Sequence, residues 1–311
     1  MPHATPWPDS EPAEVHLSSG PARLAVDLRG GGLRRLVVDE WDVLDGYPAR
    51  TVPQGRRGGV LLPWPNRLRD GRYTFDGVEY QLSLSDPSHG NASHGLARWM
   101  SWSLVERSDA DLTVGCRLHP QPGWPGTLDL TASYALSARG LSVLLTATNI
   151  GDTRVPFGCG AHPYVAIGDR PLGEAVLTDP ASHQVLVDDR LLPAGLVPVE
   201  QGGRDFRSAR ALGSTDLDTA FTGLDRGSDG RWEVRIEGLA DRPAVSVWGD
   251  EAFDWVQVFT GQGPDEGAQG RRGIAVEPMT CPADAFNSRD GLIVLEPGQQ
   301  WSGEWGLTVG Q

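Results

Sequence analysis

Every second residue is apolar along several segments of this chain, and this alternation constrains the fold more than any other feature. It runs through residues 112–118, 128–136 and 232–236. Side chains of a β-strand point to opposite faces in turn, so a period of two predicts half-buried strands. No segment keeps a helical period over three turns. The sequence therefore predicts an all-β protein, a large antiparallel β-sandwich with two sheets stacked face to face.

Turn residues separate the predicted strands. The chain has 40 glycines and 24 prolines, and they fall between short apolar segments as turn residues should. Gly30–Gly32 predicts a turn between two strands. Asp76 and Gly77 stand between residues 72–75 and 78–81, which is the strongest short-range signal for a hairpin with a type I′ turn.

The remaining segments favour one domain over residues 1–311. Residues 1–13 carry several prolines and predict a loose leader. The glycine-rich residues 261–273 predict a long surface loop rather than a domain boundary. Only residues 208–212 suggest a helical turn.

Composition excludes several kinds of partner. A net charge of −14 disfavours nucleic acid and anionic membrane surfaces. Three widely separated cysteines give neither a disulfide framework nor a metal-binding spacing. No apolar stretch is long enough to span a bilayer, and the N-terminus lacks the pattern of a signal peptide. We expect a cytoplasmic protein, monomeric or homodimeric.

A carboxylate at Glu277 interrupts a buried apolar strand. Pro278 and Pro282 follow it, and because proline cannot donate to a ladder they predict that the strand ends in a rigid bend. Met279 and Phe286 would shelter the carboxylate, and desolvation of the ionised form would raise its pKa toward the range of a general base. The alternative is a strand-end glutamate that only caps a turn.

Two further segments place polar groups where an apolar pattern breaks. Asn66 and Arg67 follow a proline-rich bend, and the guanidinium of Arg67 offers a fork of donors for sugar hydroxyls or a carboxylate. Asp218 lies between Leu217 and Phe221 and is expected to point inward. A surface salt bridge for Arg67 and a solubilising role for Asp218 are the alternatives.

Two histidines stand in glycine-bordered breaks of the strand pattern. His94 follows Asn91 and Ser93, which could orient its ring, and His162 lies between small residues and an aromatic. His89 lies in the same segment as His94, so the sequence does not separate the two. Two histidines and a glutamate could bind zinc, but no local ligand pair supports a metal site.

Two imidazoles and a carboxylate suit proton abstraction coupled to proton delivery near neutral pH. The sequence has no Gly-x-Ser-x-Gly elbow and no Walker or dinucleotide-binding fingerprint. None of the cysteines lies in a recognisable nucleophile motif. We therefore expect acid–base chemistry without a cofactor or metal.

Taken in order, the motifs resemble those of the aldose 1-epimerase (galactose mutarotase) family over residues 20–309. The motifs that carry the resemblance are Asn66-Arg67, Gly71-Arg72-Tyr73 with the Asp76-Gly77 hairpin, Asn91 with His94-Gly95, His162-Pro163-Tyr164, Leu217-Asp218, Glu277-Pro278, Ala285-Phe286-Asn287, and Leu295 with Pro297, Gly298 and Trp301. The resemblance implies a galactose mutarotase-like supersandwich. It also implies cofactor-free interconversion of the α- and β-anomers of a free aldose.

The resemblance also implies roles for individual residues. Glu277 would remove the proton from the O1 hydroxyl, and His162 would protonate the ring oxygen. His94 would hydrogen-bond the same region. Arg67 and Asp218, next to Asn66 and Leu217, would hold ring hydroxyls, so Asn66, Arg67 and Asp218 are the expected substrate-binding residues.

Two other functions compete with this hypothesis. Arg56-Arg57 and Arg271-Arg272 could form a phosphate clamp, as a hexose-6-phosphate 1-epimerase would need. A non-catalytic sugar-binding protein would use Trp64 and Trp124 as stacking platforms.

Overall fold

Antiparallel strands are the dominant regular structure of the computed structural model, which describes residues 13–238, 242–261 and 272–310. The prediction of an all-β fold is confirmed. The predicted leader at 1–13, except Ala13, and most of the predicted loop at 261–273 lie outside the described residues. No helix within the described ranges is long and apolar enough to cross a membrane.

The strands are numbered in chain order. The first fourteen are β1 (Glu14–Ser19), β2 (Ala22–Asp27), β3 (Gly32–Val38), β4 (Trp41–Asp42), β5 (Val60–Leu61), β6 (Arg67–Arg69), β7 (Arg72–Phe75), β8 (Val78–Gln81), β9 (Asn91–Ser93), β10 (Ser103–Arg107), β11 (Asp111–Leu118), β12 (Leu128–Ser137), β13 (Gly140–Asn149) and β14 (Val155–Phe157). The others are β15 (Gly160–Ala161), β16 (Tyr164–Ala166), β17 (Val176–Thr178), β18 (Ala181–Val187), β19 (Pro193–Pro198), β20 (Arg210–Ala211), β21 (Asp218–Leu224), β22 (Trp232–Glu237), β23 (Val245–Gly249), β24 (Trp255–Phe259), β25 (Gly273–Met279), β26 (Ile293–Leu295) and β27 (Gln300–Val309). The helical segments are α1 (Val199–Gly202), α2 (Ala285–Ser288) and the 3-10 turns Gln54–Arg56, Ala97–Trp99 and Leu172–Glu174.

Two large sheets build the sandwich. The nine-stranded sheet has the order β10-β11-β12-β13-β27-β23-β22-β17-β20. The eight-stranded sheet has the order β19-β18-β21-β24-β25-β15-β5, and β16 also pairs with β25. A four-stranded sheet, β1-β2-β3-β4, and three two-stranded ladders, β6-β9, β7-β8 and β14-β26, complete the fold.

The core lies between the two large sheets. Val234 and Val247 of the nine-stranded sheet belong to the same buried apolar cluster as Val256, Val258 and Val276 of the eight-stranded sheet. Burial alternates along β12, as the sequence period predicts, because every second side chain enters this cluster. At about 25 cal/mol per Å² of buried apolar surface, such a cluster is the main stabilising term of the fold.

The hairpin predicted at Asp76 and Gly77 is confirmed. Both residues have positive φ, 50° and 78°, as a type I′ turn requires, and they join β7 to β8. The helical turn suggested at residues 208–212 is wrong. Arg210 and Ala211 instead form the edge strand β20 against β17, so strand pairing overrides the weak local preference.

The predicted end of the strand at Glu277 is also wrong, since β25 continues through Pro278 to Met279. The N–H of Val276 donates to the carbonyl of Pro163, so position 278, two residues later, faces the same side of the strand. Val276 and Thr280 donate on this side to the carbonyls of Pro163 and Cys159, so Pro278 omits one bond between them without ending the strand. His162 lies between β15 and β16.

Candidate active site

Three polar side chains share one face of the eight-stranded sheet. Val276 enters the core, so Glu277, its neighbour in β25, points to the opposite face. Gln257 of β24 pairs directly with Glu277 and also with Ala220 of β21. Asp218 lies two residues before Ala220 and so points the same way. The strand period thus brings Asp218, Gln257 and Glu277 together from distant parts of the sequence.

His162 is placed above this row by the break between β15 and β16. Its backbone N–H donates to Gly59, and its carbonyl accepts from the N–H of Gly58. Its ring stacks on Tyr164 with centroids 5.1 Å apart and planes at 10°. The guanidinium carbon of Arg57 lies 4.4 Å from the centroid of the Tyr164 ring. Backbone bonds and stacking together fix the orientation of the imidazole.

His94 and Asn66 hold each other in unusual backbone conformations. Their φ angles are 58° and 52°, in the left-handed region that costs about 1 kcal/mol or more for a non-glycine residue. The N–H of His94 donates to the carbonyl of Asn66, and the N–H of Asn66 donates to Nδ1 of His94 at 3.2 Å. The His94 and His162 ring centroids are 5.4 Å apart. Strain of this kind concentrates at functional sites.

His162 and Glu277 form a buried pair. Nε2 of His162 lies 3.3 Å from Oε1 of Glu277, and both side chains are about 5% exposed or less. Nδ1 of His162 and Oε2 of Glu277 are buried with no hydrogen-bond partner among the described residues. Buried polar atoms are nearly always paired, so these two atoms mark a place where a polar ligand would fit.

The pKa values of the three groups shift in opposite directions. Burial, followed by the negative charge of Asp218, raises the pKa of Glu277 well above its ordinary value, as the sequence predicted. Burial and then the positive charge of Arg56 lower the pKa of His162 well below its ordinary value, and the same two causes lower that of His94. The enclosure therefore disfavours charge on each of these three side chains.

A hydrogen-bonded polar network joins the other predicted site residues. Nε of Arg67 donates to Asp86 at 3.0 Å, and its Nη2 lies 3.9 Å from Oδ2 of Asp218. Gln257 donates to Asp218 and accepts from Nδ2 of Asn66 at 3.2 Å. All six predicted residues are thereby brought into one site.

A small hollow opens over this network. Asn66, Arg67, Asp218 and Gln257 form its polar side. Its apolar side consists of Val185, Val187, Leu191, Pro193, Ala220, Pro282 and Ala283. A concave site with a few convergent polar groups and apolar walls is typical of a small-molecule site.

The structure corrects the expectation that Asn91 and Ser93 orient the ring of His94. The amide of Asn91 donates to the carbonyl of Arg190, and the backbone N–H of Ser93 donates to Ser85. The ring is held instead by the backbone of Asn66. A short β-ladder between β6 and β9 turns the side chains at 91 and 93 away from the ring, which a reading of neighbouring residues does not reveal.

The predicted stacking platforms are not available to a sugar. Trp64 and Trp124 are 3% and 1% exposed. Trp64 packs edge-on against Phe286 with ring centroids 5.8 Å apart. Both tryptophans belong to the core, which removes the feature that favoured a non-catalytic sugar-binding protein.

The predicted phosphate clamp is not formed as expected. Arg57 is 2% exposed, and its Nε and Nη2 both donate to Asp45, at 3.1 and 2.9 Å. Arg272 lies 3.9 Å from Asp169, and Arg271 lies outside the described residues. Among the described arginines of these pairs, Arg56 acts electrostatically on His94, His162 and Glu277, and Arg57 acts on His162.

Sequence reasoning missed Gln257 and Asp86, which join the site through hydrogen bonds. Gln257 had a detectable signal, because it is a lone polar residue at the centre of the apolar segment 255–259 and shares the period of Asp218 and Glu277. Asp86 stands in a polar loop, where one aspartate looks like any other.

Comparison with solved structures defines the class of this fold. The aldose epimerase homologue from C. elegans superposes with a TM-score of 0.83 at 18% identity, covering 96% of this chain and 99% of that one. A putative aldose 1-epimerase from Escherichia coli K12 gives a TM-score of 0.79 at 23% identity, covering 95% and 98%. The protein therefore has a galactose mutarotase-like β-sandwich.

Sequence comparison shows the family. The family model described as aldose 1-epimerase matches residues 14–308. The uncharacterised protein YihR of Escherichia coli K12 is 33% identical over 92% of this chain and 89% of its own length. The galactose mutarotase of Rattus norvegicus is 24% identical over 83% and 79%. This chain belongs to the aldose 1-epimerase family, so the family that the sequence motifs resemble is confirmed, and its class is that of carbohydrate epimerases.

Proposed function

We propose that the protein interconverts the α- and β-anomers of a free aldose by acid–base chemistry at Glu277 and His162. One observation carries this proposal. A carboxylate and an imidazole lie 3.3 Å apart, are buried, and each retains one polar atom without a partner in the described residues. Ring opening of an aldose needs one group to take a proton and another to give one, and both must reach the anomeric region.

The proposed reaction starts with Glu277 ionised and His162 protonated. Glu277 takes the proton of the O1 hydroxyl, and the electrons of that O–H bond form the C1=O double bond. The C1–O5 bond breaks, and O5 takes the proton of His162. Rotation about C1–C2 presents the other carbonyl face, and the reverse transfers close the opposite anomer and restore both groups.

The pKa directions agree with this cycle, because the pair needs one proton in total. The raised pKa of Glu277 and the lowered pKa of His162 both favour the carboxyl as the holder of that single proton. The protonated carboxyl beside neutral imidazole, and the carboxylate beside imidazolium, contain the same number of protons. Substrate hydroxyls that stabilise the charged arrangement start the reaction without a proton from solvent.

The polar side of the hollow supplies binding. Arg67 donates to ring hydroxyls, and Asp218 accepts from them. His94 is 5.4 Å from His162, ring to ring, and lies where it can hydrogen-bond the ring oxygen or O1. In this proposal binding energy is directed at the ring hydroxyls, which leaves C1 free to turn.

The test is polarimetry of freshly dissolved α-glucose and α-galactose. We expect the parent to accelerate mutarotation, and Glu277→Gln and His162→Asn each to lower kcat by roughly 10²–10⁴-fold, the usual contribution of a general acid or base. Glu79→Gln and His119→Asn are matched controls, because both residues are exposed. A parent without rate enhancement, or a Glu277→Gln variant as active as the Glu79→Gln control, would disprove the proposal.

A second candidate is an aldose with an anionic substituent. Arg56 and Arg98 both lower the pKa of His94 and of His162 through their positive charge, so two guanidinium groups lie within electrostatic reach of the catalytic pair. They also line one cavity together. Guanidinium groups are the preferred partners of phosphate and similar anions.

Competition separates the two candidates. Phosphorylated or sulfonated hexoses that inhibit mutarotation of the neutral sugar, and are themselves converted with a lower KM, would favour the anionic class. In that case Arg98→Gln raises the KM for the anionic sugar alone. Equal KM values for charged and neutral hexoses, with no effect of Arg98→Gln, would leave the neutral aldose as the substrate.

A further inference from the structure

Arg67, the proposed hydroxyl donor, is held from the side away from the hollow. Its Nε donates to Oδ2 of Asp86 at 3.0 Å, and its own backbone N–H donates to Oδ1 of Asn66 at 2.8 Å. Its side chain is 15% exposed and that of Asp86 is 7% exposed. Of the two other guanidinium nitrogens, Nη1 donates to Oδ1 of Asn66 at 3.5 Å, and Nη2 lies 3.9 Å from Oδ2 of Asp218.

The carboxylate of Asp86 is itself fixed in place. Nδ1 of His89 lies 3.0 and 3.1 Å from its two oxygens. Its backbone exchanges two hydrogen bonds with Asn91, at 2.9 and 3.0 Å. Burial acts to raise the pKa of Asp86, yet hydrogen bonds from His89 and Arg67 hold it below its ordinary value. Asp86 is therefore an anion with a defined orientation.

Arg190 ties the loop that contains His89 to the far wall of the hollow. Its Nε donates to the carbonyl of His89 at 2.9 Å, and its Nη2 donates to the carbonyl of Gly90 at 2.8 Å. The next residue, Leu191, lines the hollow. The hydrogen-bonded series His89–Asp86–Arg67 is thus held at its His89 end by Arg190 and at its Arg67 end by Asn66.

We infer that Asp86, oriented by His89, is a positioning residue that aims the guanidinium of Arg67 at the hydroxyls of the sugar. This inference rests on the proposed function, since it assigns a role within the same site. A long arginine side chain loses much rotamer freedom when it binds a ligand, and an anion on its outer edge removes that freedom beforehand. Asp86 also balances the charge of Arg67, which suits neutral hydroxyls.

The prediction for Asp86→Asn is a change in KM without a matching change in kcat. Loss of the charge-assisted bond should raise KM roughly tenfold, while kcat stays within about twofold because the Glu277–His162 pair is not touched. The pH dependence of kcat should not change. Asp129→Asn is the matched control, because Asp129 pairs with Arg117 on the exposed surface of the nine-stranded sheet.

His89 provides a second variant that does not alter the buried carboxylate. Its side chain is 32% exposed. His89→Phe removes the donor to Asp86 and should raise KM severalfold, whereas His89→Asn keeps a nitrogen donor near the position of Nδ1 and should restore most of the affinity. If His89 had only a structural role, His89→Phe and His89→Asn would both lower the melting temperature and leave KM unchanged.

Two results separate this inference from the proposed function. An active parent whose KM is the same in Asp86→Asn and His89→Phe overturns the inference alone. A parent that binds glucose or galactose in calorimetry but does not convert it overturns the proposed function, and the Kd of Asp86→Asn then decides the positioning role. The inference is overturned if that Kd equals the Kd of the Asp129→Asn control.

Discussion

Asp179 offers a measurement of how strongly the fold disfavours a buried charge. It lies between β17 and β18 and is 2% exposed. Its Oδ1 accepts a hydrogen bond from the N–H of Ala181 at 3.0 Å, while its Oδ2 has no hydrogen-bond partner among the described residues. Burial raises the pKa of Asp179 to about 7. The perturbation is Asp179→Asn, which keeps the acceptor oxygen and cannot ionise.

The magnitude follows from proton linkage. The pKa of Asp179 rises from an ordinary value of 3.8 to about 7, and about 1.4 kcal/mol per pKa unit gives roughly 4 kcal/mol. Because the folded state holds the proton more tightly, this stability is fully present below the ordinary pKa. It is lost as the pH rises through the folded-state value. Over this pH interval the unfolding free energy of Asp179→Asn should rise relative to that of the parent, by up to roughly 4 kcal/mol.

Urea denaturation at about pH 4.5 and about pH 8 measures this gain. The quantity to compare is the difference in unfolding free energy between Asp179→Asn and the parent at each pH. An exposed carboxylate on a loop, changed in Asp229→Asn, controls for altered net charge. If the difference between Asp179→Asn and the parent is the same at both pH values, Asp179 does not titrate abnormally and the reasoning fails.

Three further predictions concern the proposed catalytic pair, the backbone and the core. Activity should follow a bell-shaped pH profile: it falls in acid, on a limb displaced by the lowered pKa of His162, when His162 and Glu277 hold two protons, and in alkali, on a limb displaced by the raised pKa of Glu277, when they hold none, as kcat measured against pH will show. Gly58→Ala should unfold the protein or abolish activity, because φ at this position is +69° and the new Cβ would lie 1.7 Å from a carbonyl oxygen of β3. Gly77→Ala is the control, because φ is +78° there but no atom lies within 4 Å of the new Cβ. It should lower the free energy of unfolding by only about 1 kcal/mol in a thermal melt. Phe157→Ala empties a fully buried position and should lower the unfolding free energy by about 3–5 kcal/mol in urea, against no more than about 1 kcal/mol for an exposed residue such as Val78.

The sequence predicts the architecture well because the fold follows from alternation and turns. Residues 112–118 and 128–136 alternate over their whole length and form β11 and β12, and Asp76 with Gly77 forms the expected turn. The candidate site residues could be selected from the sequence because each interrupts an apolar or glycine-bordered segment, and their roles stay a prediction. The family motifs fixed their order along the chain.

The parts that could not be predicted depend on distant pairing. Pro278 looks like the end of a strand until Val276 and Thr280 are seen to hydrogen-bond to Pro163 and Cys159 on either side of it. Asp86 and His89 look like loop residues until β6 and β9 bring Arg67 against them. Local sequence carries no information about which neighbour a long-range ladder will supply.

The arrangement of the site across the strands has a consequence for how activity arises during folding. The polar groups of the site are spread along the sequence from Asn66 to Glu277, and they meet through pairings among β21, β24 and β25 and the ladder of β6 with β9. Contacts between such distant segments form late, after much chain entropy has been lost. A molecule that has collapsed but has not yet formed these strand pairings contains every side chain of the site but cannot catalyse the proposed reaction. Under the proposed function, turnover thus reports the fraction of chains that have finished folding, which no local spectroscopic signal from a single hairpin can do.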